Sequence, residues 1–208
     1  MSRSILPVRS LFLIFLFHSL WLFPVVGEDR KELDGKKITD QFSYKIDSKK
    51  NLEFLEIQNR SDFLPIQDEF VNFGFVTGNL WLKLPNSKSL PHLENYLLFL
   101  NAQNIDSIQI FYQTNSGEWK EDSSGHIVPM SKRFFPHRNF IFQLKDIGTE
   151  SPIYLKVNSD ISIQFSIRLI QEESLQKEDY TKQWIYGLFF GSLFLIFLYN
   201  IAVSFFVR

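Results

Sequence analysis

The sequence lacks cysteine, and this one absence removes several kinds of chemistry. None of the 208 residues is a cysteine, so disulfide bonds, thiol nucleophiles and thiolate metal sites are all excluded. A domain without disulfides must be held together by its own hydrophobic core. A chain of this length can supply one, because the buried fraction of the surface rises with domain size.

The chain also lacks an excess of charge of either sign. Its 22 Lys and Arg against 23 Asp and Glu give a formal net charge of −1 at pH 7. There is thus no electrostatic reason to expect a nucleic-acid partner. Aromatic residues make up 16% of the sequence, whereas disordered chains are poor in them. We therefore predict a folded domain with aromatic rings to spare for contacts.

Residues 1–27 have the pattern of a cleavable export signal. Arg3 and Arg9 precede an apolar stretch, and Val25 and Gly27 then take the −3 and −1 positions of a small-residue cleavage site. An uncleaved N-terminal anchor is the alternative. In either case the pattern predicts that the following residues are exported.

A second apolar segment lies near the other end, and it predicts a transmembrane helix over residues 184–207, preceded by a polar stalk over residues 174–183. The span carries no charged side chain, and roughly 20 apolar residues cross a bilayer core. A buried soluble helix rarely runs this long without a polar face. Gly187 and Gly191 would let another helix approach closely. Asn200, polar within the span, is typical of a side chain that faces other helices.

Orientation follows from the flanking residues. With the middle of the chain outside, Arg208 falls inside, as the positive-inside rule prefers. We therefore expect a cell (inner) membrane protein with an extracytoplasmic, periplasmic domain. The chain stops just after the span, so two readings stay open: an anchored domain, or the front part of a longer protein.

The middle of the chain, residues 28–173, is strand-like almost throughout. Residues 161–169 alternate apolar and polar side chains at every position, which is typical of a half-buried strand. Residues 158–160 precede this run and predict a tight hairpin. With no helical segments between them, these short strands predict a mainly β, antiparallel sandwich. Further strands are expected at residues 42–46, 52–57, 80–84, 96–100, 105–112, 140–144 and 153–157.

Four segments of the chain, taken in sequence order, resemble segments of one protein family. The family is the bacterial seven-transmembrane receptors with diverse intracellular signalling modules (7TMR-DISM), and the likeness is to their extracellular module and first membrane helix. The matching segments are residues 73–86 ("G…lWl+l…N"), 106–112 ("d.i.vy"), the loop and strand of 125–142, and 186–200 ("YyG…G…lYN").

This resemblance implies a jelly-roll-like sandwich similar to carbohydrate-binding modules. In the family, seven helices and a cytoplasmic output domain follow. This sequence follows that pattern as far as the first helix. The resemblance also implies a receptor that carries signals across a membrane.

No catalytic constellation stands out, so we predict that the protein is not an enzyme and holds no metal or cofactor. His18, His92, His126 and His137 lack ligand spacing, and there is no nucleophile elbow or phosphate loop. A membrane-anchored glycosidase stays open as an alternative, because its paired carboxylates are adjacent only in space.

The segment with most binding character runs from residue 119 to residue 138. Aromatic faces stack on sugar rings, and Arg offers a planar fork of donors that matches carboxylates. The alternative is that Phe134 and Phe135 only pack and that the arginines are solvated. For Trp81, packing beneath a loop is the favoured interpretation. The ligand-binding candidates are Trp119, His126, Arg133, His137 and Arg138.

The leading hypothesis is an extracytoplasmic sensor that binds a small carbohydrate or other polar ligand and biases the membrane helix. A membrane-anchored domain that contacts proteins without a small ligand is the alternative. The expected partners are membrane lipid, the small ligand, and either a second copy or further receptor helices.

Overall fold

The computed structural model describes residues 34–85, 90, 92–102, 104–148 and 150–206. These residues belong to one unit of the chain, Glu32–Arg208. The predicted export signal at residues 1–27, with His18, and the inward charge at Arg208 lie outside the described residues.

Ten strands are described, and together they form two antiparallel sheets. Their bounds are β1 (Ser43–Asp47), β2 (Leu64–Pro65), β3 (Val71–Phe75), β4 (Asn79–Leu84), β5 (Leu97–Ala102), β6 (Ser107–Gln113), β7 (Trp119–Ser124), β8 (Phe140–Gln143), β9 (Ile153–Asn158) and β10 (Ser162–Ile170). One sheet has the order β2-β1-β4-β9-β6-β7 and the other β3-β10-β5-β8. Every paired neighbour is antiparallel. The predicted antiparallel β fold is therefore confirmed.

The main core is built by the alternating pattern of the strands. On β10, Ile163, Phe165, Ile167 and Leu169 are all fully buried, as period-2 alternation requires of one face. Ile161, which shares that pattern, lies just before the strand and is 42% exposed. Apolar residues of both sheets join one large cluster.

The strand predicted over residues 52–57 is wrong, because this segment forms a short helix. Helix α1 (Phe54–Gln58) begins with a capping box in which the Glu53 and Glu56 carboxylates each accept a bond from the other residue's backbone N–H. Such reciprocal caps satisfy helical N–H groups that would otherwise lack partners. Ile57 is fully buried, and it packs with Phe54 over Trp81 on the outer face of the six-stranded sheet.

The hairpin predicted at residues 158–160 is also wrong, because the strands that it joins, β9 and β10, lie in different sheets. Side-chain bonds favour this corner over a hairpin. The Asn158 amide donates to the Gly78 carbonyl at 3.0 Å, and the Ser159 hydroxyl donates to the Asn104 carbonyl at 3.1 Å. Both acceptors belong to neighbouring turns, so the segment ties one end of the sandwich together.

Helix α2 (Glu172–Phe206) has 35 residues and follows β10 directly. The predicted stalk and span therefore form one continuous helix, about 52 Å long at 1.5 Å per residue. It is long and apolar enough to cross a membrane. Its first turns lie on the outer face of the four-stranded sheet, where Leu175 is 2% exposed. There Leu175 joins a second buried cluster with Leu97, Phe99, Ile141 and Ile170.

Candidate functional site

A cleft of about 550 Å³ lies on the outer face of the four-stranded sheet, and its lining includes Lys182 of helix α2. Strand alternation forms its floor. Because Leu98 and Leu100 of β5 face the main core, Phe99 and Asn101 face outward. On β10, Ser166 and Arg168 stand directly opposite these two residues. One wall of the cleft therefore belongs to the same helix that contains the candidate membrane span.

The cleft lining is rich in positive charge and in amides, and it includes no Asp or Glu. Its amides are Asn101, Asn104 and Asn139, and its cations are Lys37, Arg138, Arg168 and Lys182. His126 also lines it. Such a set can donate hydrogen bonds from several directions, and its amide oxygens also accept them.

Most of these cations already have acidic partners just outside the cleft. The Lys37 ammonium lies 2.8 Å from a Glu69 carboxylate oxygen. Both Arg168 and Lys182 bind Glu178. Arg138 is exposed and has no ion pair with any residue that the structure describes.

Two ionic contacts tie residues Glu178 and Asp179 of helix α2 to the domain, one to β10 and one to the loop before β8, and we call them the clasp. The Arg168 guanidinium donates to both carboxylate oxygens of Glu178, at 2.8 and 2.9 Å. It also stacks over the Phe99 ring, with 4.4 Å from Cζ to the ring centroid. The second contact joins His137 Nε2 to an Asp179 carboxylate oxygen at 3.0 Å. Hydrogen bonding to Arg168 lowers the pKa of Glu178 below its ordinary value of 4.5.

This shift predicts that acid loosens the clasp. A lowered pKa in the folded state means that the contact stabilises above the unfolded value of 4.5 and is lost as pH falls through the lower folded value. Spin labels on Gln164→Cys and Gln176→Cys would report the sheet-to-helix distance, because the chain has no other cysteine. We expect one sharp distance at neutral pH and a broader distribution below pH 4.5.

The control for this experiment is Glu178→Gln, which should give the broad distribution at every pH. If the acid transition survives in that variant unchanged, then Glu178 is not the group that responds.

The structure separates the five residues predicted to bind a ligand. His126 and Arg138 line the cleft, while His137 stands in the clasp. Arg133 donates to the carbonyls of Val128, His137 and Gly125, so its guanidinium holds the loop together. Trp119 lies apart, on the outer face of the other sheet, with its ring 4.8 Å from that of Phe54.

Three aromatic residues were expected to have packing roles, namely Phe134, Phe135 and Trp81. Phe135 packs against the cluster that contains Leu175, whereas Phe134 is 50% exposed. Trp81 is fully buried, as its predicted packing role requires, but the segment that covers it is helix α1 and not a loop.

Sequence reasoning missed Lys37, Asn101, Arg168 and Lys182 as residues of one cleft. The sequence did contain one indication of the cleft, the polar residues of the alternating strands. Ser166 and Arg168 are such residues, and alternation places them on the face of β10 that points away from the core. Alternation identifies the outer face of the sheet, but it does not reveal which element packs on that face. Lys182 lines the cleft because helix α2 packs there.

The contact of Gly187, Gly191 and Asn200 with another helix stays a prediction. The Asn200 amide donates to the Ile196 carbonyl of its own helix at 2.8 Å. No other described element comes within 4 Å of the position that a Cβ would take at Gly187 or Gly191. In the described ranges, no three His, Asp or Glu side chains converge so that they could hold a metal ion.

Comparison with known proteins identifies the family. Residues 39–171 match the family model "7TMR-DISM extracellular 2", a stretch that covers both sheets and α1 and ends just before α2. A search of curated proteins finds no match. The family points to a receptor rather than an enzyme, with an extracellular N-terminal domain at a membrane. With more than half of its length matched, the chain belongs to the 7TMR-DISM extracellular 2 family.

Proposed function

We propose that this extracellular domain senses a small polar ligand in the cleft and transmits binding to helix α2. The observation that carries the proposal is that Arg168 and Lys182 both line the cleft and both bind Glu178 of the clasp. A ligand in the cleft would therefore touch the groups that fix the helix to the sheet.

The physical requirement is that the ligand prefer one helix position over another. A ligand that binds two states equally shifts neither, however tightly it binds. The clasp supports such a preference, because Arg168 lines the cleft and also binds Glu178 of the helix. In the Arg168–Glu178 pair of the clasp, the side chains are 20% and 37% exposed, so water reaches both groups and screens their attraction. A bound ligand can thus compete with these contacts.

Carbohydrate remains within the proposed ligand class, bound through hydrogen bonds and not through ring stacking. Trp119, the ring expected to stack on a sugar, lies on the other sheet, and Phe99 is 3% exposed beneath Arg168. Asn101, Asn104 and Asn139 offer donors and acceptors that match sugar hydroxyls. We further propose an inner-membrane location, a periplasmic domain, and no catalytic activity of its own.

The test uses the full chain in lipid nanodiscs with a panel of neutral and acidic saccharides. We expect at least one to bind and to change the distance between the labels on Gln164→Cys and Gln176→Cys. Asn101→Trp, which fills the cleft from an exposed position, should abolish binding. The matched control is Asn115→Trp, an exposed turn position outside the cleft, which should bind normally.

Two results would contradict the proposal. One is a ligand that binds without changing the sheet-to-helix distance. The other is a panel without ligands, together with a protein partner crosslinked to the domain in membranes, which would favour the interaction-domain alternative.

A further inference from the structure

We infer that the cleft takes an anionic ligand, a small molecule that bears a carboxylate or phosphate group, and that this anion competes with Glu178 for Arg168 and Lys182. The inference rests on the proposed function and names the ligand class of the same site. The shared chemistry is an oxyanion that accepts hydrogen bonds from cationic donors.

The first argument is the charge balance around the cleft. Four cations line it, and two carboxylates, Glu69 and Glu178, pair with three of them from outside. Four positive and two negative charges leave a local surplus of two positive charges. Since the chain as a whole carries −1, this surplus is a property of the cleft. Clefts with one sign of charge concentrate ligands of the opposite sign.

The second argument is the state of Arg138. Its side chain lines the cleft and is exposed, and it has no carboxylate partner in the described ranges. A guanidinium presents a planar fork of donors that matches a carboxylate or phosphate in two parallel bonds. Asn139, its neighbour in sequence, also lines the cleft. Arg138 can therefore hold the first contact of an anion without breaking any existing pair.

The third argument links that anion to the helix. The other cations of the cleft are Lys37, which Glu69 holds, and Arg168 and Lys182, which Glu178 holds. An anion that draws Arg168 and Lys182 toward itself competes with Glu178 for them. Binding and release of the clasp are then thermodynamically coupled, and each favours the other. Glu178 acts as an internal competitor that the ligand displaces.

The experiment compares three probes on the full chain in nanodiscs of neutral lipid. The probes are glucuronate, glucose and inorganic phosphate, of which the first two differ only by a carboxylate in place of a hydroxymethyl group. We expect one of the anions to bind at least about tenfold more tightly than glucose, because hydrogen bonds to charged groups are about twice as strong as neutral ones. Tighter binding of glucuronate indicates an acidic sugar, and tighter binding of phosphate indicates a phosphorylated ligand.

Variants assign the binding to named residues. Arg138→Gln should weaken anion binding about tenfold or more, whereas Lys120→Gln, an equal charge change on the other sheet, should leave it unchanged. Glu178→Gln should strengthen anion binding, because Arg168 and Lys182 become free. A variant that merely damages the fold would weaken binding, so this gain distinguishes competition from misfolding.

The inference is overturned if neither anion binds at millimolar concentration, if glucose binds as tightly as the better of the two anions, or if Arg138→Gln has no effect. If a neutral sugar binds more tightly than either anion and moves the helix, the anion inference is wrong and the proposed function stands. If an anion binds and the helix does not move, the proposed function is wrong.

Discussion

Gly125→Ala is expected to destabilise the sandwich by about 3 kcal/mol or more, through backbone strain together with overpacking. Gly125 has φ +133°, and a Cβ there would lie 2.2 Å from the Asp106 carbonyl oxygen and 2.8 Å from the Ser107 Cα. Both are backbone atoms, so no side-chain rotation can relieve the clash. Chemical denaturation of the full chain in detergent micelles, followed by circular dichroism, measures the loss.

Gly117→Ala is the matched control for this prediction. Gly117 also has a positive φ, +85°, but the nearest atom to an added Cβ is the Gln113 amide nitrogen at 3.8 Å. Only the conformational cost applies there, about 1–2 kcal/mol for a side chain in the left-handed region. Equal losses for the two variants would show that the close approach at Gly125 does not matter.

The position of Gly125 also connects stability to the cleft. Its carbonyl accepts a bond from the Arg133 guanidinium at 2.5 Å, and the next residue, His126, lines the cleft. We expect a Gly125→Ala protein that remains folded to show an altered cleft rim as well. The same backbone approach that closes this end of the sandwich thus fixes the edge of the candidate site.

The sequence was most informative for strands that bury one face and expose the other. Along β10 a single face is apolar, and register then follows from alternation, because a slip of one residue would turn the whole apolar set outward. It was least informative at β7, whose residues Trp119–Ser124 are almost all polar. Among the described strands it pairs with β6 alone, at the sheet edge, so most of its side chains need not be apolar.

The failure at α1 has a different cause. Residues 52–57 place apolar side chains at a spacing that suits either a strand or one helical turn. Short apolar runs are ambiguous in this way. The capping box formed by Glu53 and Glu56 favours the helix over the strand. In the sequence alone, these two acidic residues look like ordinary surface charges.

The candidate site was harder to predict than the fold because identical residue types have different roles. Arg133 and Arg138 lie five positions apart in one loop, yet one binds three backbone carbonyls and the other faces the cleft. Their chemistry is the same, and only the path of the loop separates them. The cleft also needs α2 on the sheet, a long-range contact that local patterns do not reveal.

Trp81→Ala is the second prediction with a large expected effect, a loss of about 3–5 kcal/mol in the free energy of unfolding. The indole is fully buried between β4 and α1. Its ring lies 5.9 Å from that of Phe111, and the Lys156 ammonium stands 5.4 Å from its centroid. Removing it leaves a cavity under Ile57 and Phe54, so hydrogen exchange should also rise in α1. Denaturation and exchange mass spectrometry would measure both effects.

Trp81→Phe is the informative comparison, because the indole N–H is buried without an acceptor in the described part of the chain. An unsatisfied buried donor costs about 1–3 kcal/mol, so replacing it with a ring that has no donor offsets much of the lost packing. We expect Trp81→Phe to be far milder than Trp81→Ala. If the two variants lose equal stability, the N–H has a partner in the folded protein. Because Trp81 supports α1 on the face opposite the clasp, neither variant should change the sheet-to-helix distance at α2.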